Sequence, residues 1–69
     1  MMSHSNANRT IEIAHEPFGA GFDVRVVPPI SGENLDAEFQ DYRRARRWAT
    51  GLRINHGWRI RDRTGLSDA

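Results

Sequence analysis

Apolar and polar residues alternate from Thr10 onward. Ile11 and Ile13 fall on one side of the chain, and Thr10, Glu12 and Ala14 on the other. A period of two marks a strand with one buried face. Pro17 ends the run, and Phe18-Gly19-Ala20-Gly21 supplies a glycine-containing turn. Alternation resumes with Phe22, Val24 and Val26 against Asp23, Arg25 and Val27. The two runs therefore predict a β-hairpin. Pro28-Pro29 stops the second strand, because proline has no N–H to give a ladder. Residues 1–9 have small polar side chains and no period, and predict a disordered tail.

Past a connecting loop at residues 30–33 the period lengthens. Leu35, Phe39, Tyr42, Ala45, Ala49 and Leu52 recur at spacings of four, three, three, four and three. That is the stripe of an amphipathic helix. Ser31 or Asn34 is the expected N-cap, with Asp36 and Glu38 in a first turn where the helix dipole favours anions. The predicted end is near Asn55, with Gly57 as the left-handed cap. Gly51, which costs about 1 kcal/mol inside a helix, is the alternative end. Arg43, Arg44 and Arg47 fall opposite the stripe, Arg46 at one edge and Trp48 at the other.

A last strand is predicted over residues 58–62, with Trp58 and Ile60 inward and Arg59, Arg61 and Arg63 outward. Residues 64–69 make a short tail. The expected architecture is α+β, one domain over residues 10–63. It is β-β-α-β, a three-stranded sheet with one long helix on one face. If the last strand runs antiparallel to the first, the first is central. The uncovered face then shows Glu12 between Arg25 and Arg59 or Arg61.

Composition sharpens this picture in three ways. The chain of 69 residues contains no cysteine, which excludes a disulfide framework and thiolate zinc sites. Domains of this size commonly need a staple, and self-association is the one left. No run of 18 apolar residues occurs, so no membrane span is expected, and residues 1–9 lack the apolar core of a secretory signal. A cytoplasmic, bacterial protein is the expectation.

Charge is segregated along the chain. Residues 43–63 hold eight arginines and one acid, net +7, while residues 33–42 hold four acids and no base, net −4. All ten basic residues are arginine. Arginine forks suit phosphate and carboxylate recognition, and a GC-rich genome produces the same bias without function. Likewise the segregation is an electrostatic footprint for phosphates or a helix matching its own dipole. Asp41 and Arg44, three apart, are placed to pair. Trp48 and Trp58 are stacking platforms in the first reading; Trp58, at inward spacing, is core in the second.

Catalytic and metal chemistry find little support. Gly19-Ala20-Gly21 begins like a dinucleotide loop but lacks the third glycine and the following helix. His4, His15 and His56 lack a placed carboxylate, and two imidazoles make a poor metal site. Glu12 and Glu16 lack the cleft that paired-carboxylate chemistry needs. No nucleophile–base–orienter set appears. No enzyme, cofactor, metal or small-molecule substrate is expected.

The stretch from Phe39 to Gly65, FQDYRRARRWATGLRINHGWRIRDRTG, resembles the helix–strand half of small uncharacterised bacterial single-domain proteins built from a hairpin, a helix and a strand. The resemblance implies a stand-alone domain and carries no functional residue. The functional expectation is a non-catalytic binding module for an anionic partner, nucleic acid or an acidic protein surface. Arg43, Arg44, Arg47 and Arg53 are the leading residues, and Arg59, Arg61 and Arg63 the second row. The alternative is an interaction or structural module that self-associates, as a homodimer, through its sheet.

Overall fold

The computed structural model describes residues 9–66; of the tail expected over 1–9, residues 1–8 with His4 lie outside them, as do residues 67–69, while the Arg9 guanidinium donates to the Pro28 carbonyl at 2.9 Å. Two strands, β1 (Thr10–His15) and β2 (Phe22–Val27), form the hairpin read from the alternation. They pair antiparallel, with Ile11 opposite Val26 and Ile13 opposite Val24. Glu16 N–H donates to the Gly21 carbonyl at 2.8 Å and closes the loop. Ile11, Ile13 and Val24 are fully buried, each worth about 1.5–3 kcal/mol of hydrophobic stabilisation.

The sheet has a third strand before the helix, where a helical turn was expected. β3 (Ala37–Phe39) pairs antiparallel with β2, Phe39 opposite Phe22. Leu35, Ala37 and Phe39 are half-buried while Asp36, Glu38 and Gln40 are exposed. The four-residue step from Leu35 to Phe39 fits one helical turn, and equally fits two pleats of a strand. Local hydrogen bonds favour the strand. Asp36 Oδ1 accepts from the Val26 amide at 3.1 Å, extending the contact with β2, and Asn34 Oδ1 accepts from the Asp36 amide at 3.1 Å. Asp36 and Glu38 therefore do not sit in a helical first turn, and neither Ser31 nor Asn34 caps a helix.

The helix, α1 (Tyr42–His56), starts instead at an Asp41 N-cap with φ −129° and ψ 154°. The Asp41 carboxylate accepts from the Arg44 amide at 2.8 Å, which satisfies one orphan donor of the first turn. At the other end Gly57 takes φ 78° and its N–H donates to the Arg53 carbonyl, the left-handed cap expected there. Ala45, Ala49 and Leu52 are buried against the sheet; the two alanines let the helix lie close to it. Trp58, 1% exposed, completes the core and is no stacking platform.

The last strand, β4 (Arg59–Asp62), pairs parallel with β1, not antiparallel. The cause is β3. One extra strand before the helix reverses the chain once more, so β3 and β4 run the same way and α1 is the crossover that parallel strands require. The result is a four-stranded mixed sheet in the order β3-β2-β1-β4. β1 is internal, and on the uncovered face Glu12 stands between Arg25 and Arg61. Beyond β4, Thr64 and Leu66 fold back: the Thr64 carbonyl meets His15 Nε2 at 3.0 Å, and the Leu66 amide donates to the Thr64 hydroxyl at 3.0 Å.

Candidate anion-binding surface

α1 carries five arginines and no acid. With about 3.6 residues per turn and Ala45, Ala49 and Leu52 turned to the sheet, Arg43 and Arg47 lie one turn apart on the crest facing away from it. Thr50 and Gly51 follow, then Ile54, 70% exposed. Arg43, Arg46, Arg47, Gly51 and Ile54 border one shallow depression. Arg43 and Arg47 form no ion pair among the described residues.

The other helical arginines divide between the two flanks. Arg44 is exposed and pairs with Asp41 at 3.5 Å, the i,i+3 pair expected from spacing. Arg53, also exposed, turns toward the opposite flank, the side of Arg46. Arg46 is 3.6 Å from Asp62 and is thereby committed to the fold. Asp62 also accepts from Tyr42 and from the Thr64 amide and hydroxyl at 2.9 and 2.6 Å. Burial pushes the Asp62 carboxyl up, but the hydrogen bonds from Thr64 and Tyr42, with the charge of Arg46, outweigh it and hold the group below its ordinary value of 3.8.

The second row is elsewhere. Arg59, Arg61 and Arg63 are exposed, alternating with the half-buried Ile60 and Asp62. They therefore leave from the sheet face that α1 does not cover. Arg63 reaches Glu12 at 3.9 Å, and Arg25 reaches Asp23 at 3.6 Å, so acids offset part of this row. The structure thus brings Arg43, Arg47 and Arg44 to one side of the domain, and does not join them to Arg59, Arg61 and Arg63.

A groove beside the crest was not read from the sequence. It runs along the flank of α1 next to β3 and holds about 600 Å³, a volume typical of ligand sites. Leu35, Phe39, Trp48 and Leu52 form its apolar lining, with Arg44 and Arg47 along one side and Asn55 and His56 at one end. Trp48, 40% exposed, is held by its indole N–H donating to the Leu35 carbonyl at 3.0 Å, and its ring lies 6.3 Å from Phe39. The signal available was Trp48 at the stripe's edge; the groove's far wall depends on β3. His56 stacks on Trp58 at 4.1 Å, whereas His15 lies against Phe22.

Among the described residues no group of three His, Cys, Asp or Glu side chains is placed to hold a metal ion, and no helix is long and apolar enough to cross a membrane. No family model, curated protein or solved structure matches the chain.

Proposed function

We propose that this domain is a non-catalytic binding module whose helical arginines meet an anionic partner, in the first instance a nucleic acid. The observation that carries the proposal is the pair Arg43 and Arg47. They are a turn apart on the outward crest of a helix with no acid, and neither is engaged by a carboxylate among the described residues. Arg44 and Arg53 extend the positive surface to either side. Each phosphate held by such side chains releases condensed counterions, so affinity falls with salt.

The test is fluorescence anisotropy of a labelled duplex across a salt series. The expected result is binding with a log–log slope of about −0.9 per phosphate engaged, shallower in an Arg43→Glu, Arg47→Glu double variant. Flat anisotropy at low salt removes the nucleic-acid form and leaves an acidic protein surface as the anionic partner.

Self-association through the uncovered sheet face is the second reading. Val27 is exposed there opposite Thr10, and the outer edge of β4 is unpaired among the described residues, the kind of edge to which a further strand can add. A strictly monomeric species in light scattering at high concentration would remove it.

A further inference from the structure

Phe18 is the most exposed large apolar side chain among the described residues, at 96%. It stands at the tip of the β1–β2 hairpin, where the fold makes no use of it. A lone exposed aromatic is unremarkable by itself. Two further features give this one a direction. The Phe18 amide donates to the carboxylate of Glu16, so the turn that displays the ring also carries an anion at its backbone. The same chain also displays an apolar groove with the opposite charge along its side: Leu35, Phe39, Trp48 and Leu52, with Arg44 and Arg47.

Gly51 bears on the same groove. It sits inside α1, where glycine is about 1 kcal/mol worse than alanine. A Cβ added there would meet nothing within 4 Å, so no contact inside the domain requires a glycine. Gly51 lines the groove, and the absent side chain keeps that stretch of wall low.

We infer that the occupant of this groove is the hairpin tip of a second copy of the chain: Phe18 seats on Phe39, Trp48 and Leu52 while Glu16 faces Arg44 and Arg47. Because key and lock are on one chain, two copies can exchange them about a twofold axis, each giving its tip to the other, as isologous contacts do. The contact is small beside a standard interface of about 1,600 Å², so the dimer is in equilibrium with monomer. It leaves the crest residue Arg43 and the uncovered sheet face free. It draws on Arg44 and Arg47, which the nucleic-acid reading also uses, so dimer and oligonucleotide compete for them; it is distinct from association through the sheet.

Sedimentation of the full chain up to about 1 mM, the weak end of specific association, gives the test. The expected result is a concentration-dependent dimer. In the same series the Trp48 indole N–H resonance shifts and that of buried Trp58 does not. Phe18→Ser, which touches no core residue, weakens the dimer by about 30-fold or more, as loss of a central anchor does. Gly51→Leu, which fills the groove while improving helix propensity, does the same.

Mixing the two variants restores a dimer with a single contact, since one brings an intact groove and the other an intact tip. A monomer at every concentration overturns the inference. So does a dimer indifferent to both substitutions, which would place the contact on the sheet, or a mixture that fails to re-associate. The oligonucleotide titration is run at concentrations where the chain is monomeric, so its outcome is read separately from these.

Discussion

The hydroxyl of Tyr42, the first residue of α1, donates a hydrogen bond to Oδ2 of Asp62, the last residue of β4. The same carboxylate accepts twice from Thr64 and faces Arg46 at 3.6 Å. One side chain therefore joins the start of the helix, the edge of the sheet and the chain beyond it. It holds in place the element that presents the candidate surface.

Replacing Asp62 with alanine removes the charged acceptor shared by Tyr42, Thr64 and Arg46. The expected loss is about 1.5–3 kcal/mol of unfolding free energy, the range for hydrogen bonds to a charged group, measured by urea denaturation at pH 7. The pH dependence has a definite sign. The folded carboxyl titrates below its ordinary value of 3.8, so its stabilisation is present above that value and is lost as pH falls through the folded one. The gap between the wild type and Asp62→Asn should be constant through neutral pH and close below about pH 4. A gap that widens on acidification would contradict this assignment.

Gly21 lies against β3. A Cβ built there would stand 2.7 Å from the Phe39 carbonyl oxygen, a backbone atom with no rotamer to escape into. Gly21→Ala should destabilise by about 1–3 kcal/mol, as overpacking does. Amide exchange should be fastest over Ala37–Phe39, the short strand pushed outward. A neutral effect would mean that β3 is not docked there.

Gly51→Ala should act in the opposite direction. With open space around the added methyl and a helical backbone, the gain is about 0.5–1 kcal/mol, read as a raised midpoint in thermal unfolding. A loss of stability would show that the backbone at Gly51 is not helical.

Asp41→Ala removes the N-cap acceptor for the Arg44 amide and the ion pair with its guanidinium. The expected cost is about 1 kcal/mol, mostly from the cap, because a solvent-exposed pair contributes little. Asp41→Asn or Asp41→Ser should recover most of it. Equal losses in all three would assign the effect to charge.

What the sequence settles by itself is whatever depends on local period and punctuation. The hairpin is legible in Ile11, Ile13, Val24 and Val26, since alternation is a property of neighbouring residues. The helix is legible from Tyr42 to Gly57, since Ala45, Ala49 and Leu52 repeat on one face and a left-handed glycine closes it. Trp58 and Ile60 inward against Arg59, Arg61 and Arg63 outward follow from the same parity.

Leu35 and Phe39 read as helix in the stripe and are not, because a step of four residues satisfies a helix and a strand alike. Only pairing with β2, and the bond from the Val26 amide to Asp36, decides for the strand. That one decision sets the parallel partner of β4 and the far wall of the groove. The charge of the arginines is likewise written in the chain, but their availability is not. Arg46 is held by Asp62, sixteen residues away along the chain and brought within 3.6 Å only by the fold, while Arg43 and Arg47 stand clear. Tertiary packing alone separates a structural cation from an open one, because ion pairing depends on distance in space.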